Sequence, residues 1–233
     1  MPRLTLSTEQ LMVFDDVLPK NAFDDLLKYA NGDTYRNVHA EEQDKTWRLG
    51  DGRPLKGTSI FFRPDGTYGD DEQPHYPTHT PLDAFVRAVR RILSKARPLI
   101  GDAGTAWNQM VVSPWVYPCG AGVSLHVDRH DLTGTFTYYI HREWNFHWGG
   151  HLLVLHPKTG KGRRRPDFRP AWLSDAEEAE FVAEPGLATC VLPRPNRLVF
   201  IPFSVHHMVT RVDPNAGSHP RVSLTGLFMR PSS

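Results

Sequence analysis

Apolar positions recur at helical spacing in two stretches of this chain, and from Thr105 onward the pattern changes to strands. Phe23, Leu26, Leu27 and Ala30 fall on one face of a helix over 21–30, with Asn31-Gly32 as its stop. Leu82, Phe85, Val86, Val89, Ile92, Leu93 and Ala96 mark a second helix. Thr80 stands at its cap, Pro81 at its first position and Asp83 where a capping-box acid belongs. Strand patterns occupy 106–117, 122–128, 134–141, 149–156, 188–192, 197–202, 206–212 and 221–229. Eight short strands separated by turns, with no helix between most of them, predict a double-sheet jelly roll.

The remaining segments frame that core. Residues 11–18 read as a short strand. Residues 33–80 are polar and rich in Gly, Pro and Asp, with one strand at 58–62. An insertion at about 158–186 opens with the basic run Lys158 to Arg165. It continues with Ser174-Asp175-Ala176-Glu177, a capping box that starts a short acidic helix. The chain reads as one domain, 1–233. A helical and loop support occupies 1–104, and a mainly β, double-stranded β-helix (jelly-roll, cupin-like) core occupies 105–229.

Composition narrows the function classes. With 39% hydrophobic and 23% charged residues, 233 residues suffice for a buried core. The net charge of +1 gives no case for a nucleic-acid or membrane partner. No stretch reaches the roughly 18 apolar residues of a membrane helix, and the first residues show no signal-peptide pattern. Two cysteines, Cys119 and Cys190, are too few for a disulfide scaffold and lack zinc spacing. A reducing, cytoplasmic setting is the expectation.

The candidate chemistry starts at His126-Val127-Asp128. Residues two apart on a strand share a face. Two such ligands plus a histidine from elsewhere make the 2-His-1-carboxylate triad, which holds Fe(II) and leaves positions open. A lone His-x-Asp is weak evidence, because chance produces many. Order strengthens it here. His206-His207 follows the apolar run Leu198 to Ile201, with His207 79 residues after Asp128. Arg221 lies 14 residues further and opens the last strand. In a jelly roll such strands meet at one end of the barrel.

The motifs resemble those of the Fe(II)/2-oxoglutarate-dependent dioxygenases, in particular the branch similar to prolyl 4-hydroxylases. His126-Val127-Asp128, the Tyr138-Tyr139 to Trp144 stretch, Gly149-Gly150, His207-Met208-Val209 and Arg221-Val222-Ser223 stand in the family's order. The resemblance covers about 105–229, with a weaker match at 11–32. His141, where the family often has Asn, and the long insertion depart from the pattern. Neither touches the triad. The pattern selects His207 over His206.

The resemblance implies Fe(II), 2-oxoglutarate and O2 as reagents. It implies His126, Asp128 and His207 as metal ligands and catalytic centre. Arg221 then holds the far carboxylate of 2-oxoglutarate through a two-pronged contact. Ser223 lies on the same face and adds a hydrogen bond. Tyr139 and Tyr117 are the further candidates for that pocket, and for both core packing is the competing reading. Trp144, Trp148 and His151 are expected to pack the barrel or line a substrate wall. Related halogenases lack the acid that Asp128 supplies, so hydroxylation is expected. The nucleobase-repair branch carries a second arginine where Leu227 stands, which argues against nucleic acid. The expected reaction is hydroxylation of an unactivated C–H bond of a small molecule, such as an amino acid or biosynthetic intermediate, with release of succinate and CO2. The alternatives are a peptidyl, prolyl-type hydroxylase and, from another class, a non-catalytic jelly-roll metal-binding protein. The polar loops, with Trp47-Arg48 among them, and the insertion are long enough to cover the barrel mouth.

Overall fold

The computed structural model describes residues 2–38, 49–68, 74–156, 175–183 and 186–231. Trp47-Arg48, the basic run Lys158 to Arg165 and the Ser174 cap lie outside the described residues. The first hundred residues give β1 (Arg3–Ser7), β2 (Met12–Asp15), α1 (Lys20–Gly32), β3 (Arg36–Asn37), β4 (Leu55–Lys56), β5 (Ile60–Phe62) and α2 (Leu82–Ile100). The rest gives β6 (Gln109–Tyr117), β7 (Val123–His126), β8 (Leu132–Tyr139), β9 (Leu152–Leu155), α3 (Asp175–Ala183), β10 (Ala188–Val191), β11 (Leu198–Pro202), β12 (His207–Val209) and β13 (Arg221–Met229).

The strands form two antiparallel sheets. The large one runs β1-β2-β11-β8-β13-β6-β4-β3, with β5 also on the edge of β6; the small one runs β10-β9-β12-β7. From β6 onward, most successive strands change sheet. The chain winds as a double-stranded β-helix, the predicted jelly roll, and the eight core strands stand at the eight predicted places. The first hundred residues add five strands to the large sheet as well as two helices. Sequence pattern showed only β2 and β5 of these. β1 is exposed throughout, and β3 and β4 have two residues each, too few for any periodicity.

Alternation along β13 shows how the large sheet is used. Val222, Leu224 and Phe228 enter a core against α1 and α2, together with Phe14, Phe85, Phe136 and Phe200. Burying each such side chain contributes roughly 1.5–3 kcal/mol. Gly226 is required there, because a Cβ would lie 1.9 Å from the Phe136 ring. Arg221 and Ser223 take the other face, which packs on the small sheet through Trp115, Tyr117, Leu152, Val154 and Val209.

α2 departs from its expected ends. Asp83 accepts hydrogen bonds from the Thr78 and His79 amides, each 2.8 Å, bracing the preceding loop, while Thr80 Oγ1 accepts from the Leu82 amide at 3.3 Å. The helix passes Ala96 and contains Pro98. Burial of Leu99 and Ile100 draws the last turn into the core. Gly101, at φ 75°, then closes it with its amide on the Arg97 carbonyl at 2.9 Å.

Candidate active site

β7 and β12 are hydrogen-bonded neighbours in the small sheet, with His126 opposite His207. Their rings lie 4.3 Å apart. Strand β7 ends at His126, so Asp128 stands just past it rather than on its face as expected. Asp128 is nevertheless held in place, accepting the Thr135 hydroxyl at 3.0 Å on Oδ2. Its Oδ1 lies 3.9 Å from His126 Nε2. One ligand atom from each of His126, Asp128 and His207 lies within 4.8 Å of the others, a cluster able to hold a metal ion.

Both imidazoles are fixed by the same local device. His126 Nδ1 donates to the Ser124 carbonyl at 2.7 Å, and His207 Nδ1 to the Val205 carbonyl at 2.9 Å. A carbonyl only accepts, so each neutral ring carries its proton on Nδ1 and presents the Nε2 lone pair. Burial, and secondarily the neighbouring His207, push the His126 pKa well below the usual 6.5. That keeps the ring neutral. Burial raises Asp128, partly offset by His207 and the Thr135 hydrogen bond. Behind β7, Asp51 accepts the Ser124 hydroxyl at 2.5 Å and, through its backbone carbonyl, the Gly122 amide at 2.9 Å.

The second cluster lies on the large sheet. Arg221 pairs in register with Tyr117, and Ser223 with both Trp115 and Tyr139. The Arg221 guanidinium lies 4.9 Å from the Tyr117 ring and 5.0 Å from the Tyr139 ring. It donates to Ser223 Oγ at 3.3 Å. Arg221 is 1% exposed, and among the described residues no carboxylate pairs with it. Its Nε and the Tyr139 hydroxyl are both buried without a hydrogen-bond partner. Burial pushes the Tyr139 hydroxyl up, with Arg221 opposing. The guanidinium stem packs on Gly150, where a Cβ would come within 2.9 Å of Arg221 Cδ and φ is +65°.

A cavity of about 400 Å³ opens on the first cluster and reaches Tyr117 of the second. His126, Asp128, His207 and Tyr117 line it; Arg221, Ser223 and Tyr139 are not on its wall, and Tyr117, against which the Arg221 guanidinium packs, is. The expected residues are therefore all brought to one region, with only Tyr117 of the second set on the wall. His206 is not part of the cluster; its ring lies 4.6 Å from Phe181 of α3. Trp144 and Trp148 pack against the inner core as expected. His141 is buried, its Nε2 donating to the Pro193 carbonyl at 2.6 Å; burial presses its pKa to about 4. Sequence reasoning missed Thr135, the packing of the Arg221 stem on Gly150, and the cavity residues Arg36 and Lys56. The alternation Thr133, Thr135, Thr137 on β8 was a usable signal for the first, since three hydroxyls on one inward face need partners.

The comparisons with known proteins agree with this geometry. The profile of the 2OG-Fe(II) oxygenase superfamily matches residues 112–229. A prolyl 4-hydroxylase from Pseudomonas putida is similar in structure, with TM-score 0.61 and 17% identity over 96% of this chain and 94% of that one. A prolyl hydroxylase from Trichoplax adhaerens, solved with a peptide fragment of the hypoxia inducible factor oxygen degradation domain, gives 0.58 and 15% over 96% and 84%. An oxidoreductase of the 2OG-Fe(II) oxygenase family from Burkholderia pseudomallei gives 0.56 and 12% over 99% and 95%. No curated protein matches the chain. Among the described residues, no helix is long and apolar enough to cross a membrane.

Proposed function

This chain belongs to the 2OG-Fe(II) oxygenase superfamily, and from that premise we propose that it hydroxylates an unactivated C–H bond of a small molecule, such as an amino acid or biosynthetic intermediate. The enzyme is an oxygenase, and its reagents are Fe(II), 2-oxoglutarate and O2. In this reading His126, Asp128 and His207 hold the metal, while Arg221, Ser223, Tyr139 and Tyr117 receive 2-oxoglutarate. One observation carries it: a permanent cation is buried at Arg221 with no described carboxylate beside it. Burying an unpaired charge costs several kcal/mol. A ligand carboxylate supplies the missing counter-charge, and the Tyr139 hydroxyl the further donor.

When bound, Fe(II) and 2-oxoglutarate supply the oxidising chemistry, with O2 consumed and succinate and CO2 released. The chain's residues do the rest. The Ser124 and Val205 carbonyls aim both Nε2 lone pairs inward. Thr135 engages one oxygen of Asp128, leaving the other toward His126. Arg221 orients the cosubstrate by its far end, and Tyr117, whose ring packs against the guanidinium, lines the cavity beside it.

Calorimetry of 2-oxoglutarate with the metal-loaded protein tests the reading: binding is expected, and its absence overturns it. A prolyl-type peptide hydroxylase is the second reading, favoured by the shape similarity to the two prolyl hydroxylases. The 400 Å³ cavity is the size of a small-ligand site and supports the first. A succinate-release screen over free amino acids and peptides separates them. Two exposed thiols without a disulfide, Cys119 and Cys190, support a cytoplasmic setting. Strands β2, β4 and β5, all from the first hundred residues, join the jelly-roll sheet and support one domain over 1–233.

A further inference from the structure

Two of the three candidate metal ligands depend on the edge strand of the small sheet. β7 is the last strand in its order, and β12 is its one neighbour among the described strands. It carries His126 at its end, with Asp128 just beyond. Its ladder with β12 is irregular. Val123 pairs with Val209 and His126 with His207, so three steps along β7 match two along β12. The extra residue makes a bulge at Ser124–Leu125, a device that re-aims the side chains beyond it. Its effect shows at the cavity. Residues three apart on a regular strand face opposite sides, yet Val123 and His126 both line the cavity. The bulge turns His126 inward, and a one-residue slip that removed it would send the imidazole to the other face.

The outer flank of β7 is held by a distant part of the chain. Leu49–Asp51 forms a single 3-10 turn in the polar stretch before α2, and Asp51 is 4% exposed. Its carboxylate accepts the Ser124 hydroxyl at 2.5 Å, and its backbone carbonyl accepts the Gly122 amide at 2.9 Å. Asp51 thus gives the edge an acceptor that a further strand would have given, and it grips the bulge by a side chain. The carbonyl of the same Ser124 accepts His126 Nδ1 at 2.7 Å. Contacts therefore run from the Asp51 carboxylate to the Ser124 hydroxyl, and from the Ser124 carbonyl to the imidazole. Both flanks fit closely. A Cβ at Gly52, where φ is 78°, would lie 2.7 Å from the Gly120 carbonyl oxygen, and one at Gly122 would lie 2.7 Å from that of Val209. Asp51 itself is off the cavity wall, so it acts through its neighbours.

Building on the reading that His126 holds the metal, we propose that Asp51 is a positioning residue for the cluster. Through Ser124 it locks the bulge of β7 in the register that presents His126 Nε2 to the metal.

The test uses Co(II) as the probe on the full chain. Calorimetry reads its affinity, visible absorption of the bound ion reads its coordination, and urea melts of the metal-free protein read stability. Asp51→Ala and Ser124→Ala are each expected to weaken Co(II) binding by at least about tenfold and to change the absorption. Ser124→Ala removes a single hydroxyl, so it carries the test if Asp51→Ala does not fold. The double variant should lose no more than the weaker-binding single one, because both break one contact. Asp51→Asn keeps an acceptor oxygen and should recover most of the affinity. A residue that merely stabilised the turn would lower the urea midpoint and leave Co(II) affinity of the folded protein unchanged. That result overturns the proposal, as do additive losses in the double variant. His126→Ala keeps the two levels apart. If the wild type does not bind Co(II), or His126→Ala binds it equally well, the metal reading fails and this proposal with it. If only His126→Ala weakens binding, this proposal alone fails.

Discussion

The two faces of the large sheet solve different problems with the same strands. The helix-facing side is filled by rings: Phe85, Phe136, Phe200 and Phe228 meet at centroid distances of 5.7–6.1 Å. The inner side holds the cavity, and it buries Arg221 and the Tyr139 hydroxyl with bonding capacity unused. Asp15 makes the contrast sharper. It is buried on the same sheet, yet Arg197 contacts it at 2.7 Å and Arg194 at 2.8 Å. The fold can pair a buried charge where it chooses to. Among the described residues Arg221 has no carboxylate partner, which fits the proposed role of holding a ligand carboxylate, and stability is the term conceded on that face.

Substitutions on the two faces should therefore fail in opposite ways. The largest expected effect is on activity: Asp128→Ala should lower succinate formation with substrate by more than about 100-fold, with weaker iron binding and little change in the urea midpoint. Retained turnover would exclude Asp128 as a ligand. Phe136→Ala on the helix face should cost about 3–5 kcal/mol in urea unfolding. Any activity loss should follow the unfolded fraction.

Arg221→Leu should do the reverse. Affinity for 2-oxoglutarate should fall by about 2–5 kcal/mol. The ligand-free protein should stay as stable or gain, because an unpaired buried charge is removed. A large stability loss here would break the comparison. Gly150→Ala should act between the two, displacing the Arg221 stem and straining a left-handed residue, for about 1–3 kcal/mol split between stability and 2-oxoglutarate binding.

The smallest effect is the one with a pH window. Burial raises the Asp15 pKa, but hydrogen bonds from Arg197 and Thr5 and the charges of Arg197 and Arg194 outweigh it, and the net value is about 2 against the usual 3.8. A depressed carboxyl stabilises the fold fully above its unfolded pKa, and the contribution fades as pH drops through the folded one. About 1–2 kcal/mol should thus be lost between roughly pH 4 and pH 2. Asp15→Asn should flatten that part of the stability profile, measured by urea melts across the range.

Much of this was legible in the sequence, for reasons that differ by element. The eight core strands announced themselves as short apolar stretches separated by turns, several of them buried on both faces. The family pattern selects His207 over His206, with strand alternation putting the two on opposite faces, and the His206 ring lies 4.6 Å from Phe181 of α3. Asp128 is expected on β7, whereas the strand ends at His126; residue spacing cannot show that a strand ends two residues early. Arg36 and Lys56 were illegible: a two-residue ribbon has no period, and a cation in a polar stretch looks like any solvated charge. Gly150 was visible as half of a turn, while its service to Arg221 depends on a contact across 71 residues.

The hydrogen-bonded pairing of β7 with β12 bears on the order in which the protein is made and loaded. His126 and His207 are 81 residues apart along the chain, and they meet only once strand β12 has docked beside β7. A growing polypeptide therefore cannot assemble the metal cluster until most of its length has left the ribosome. If these residues hold the iron, as proposed, iron arriving earlier would find at most His126 and Asp128, a weak pair. In that reading metal uptake would report that the barrel has closed, and bound iron would hold the closed form by mass action.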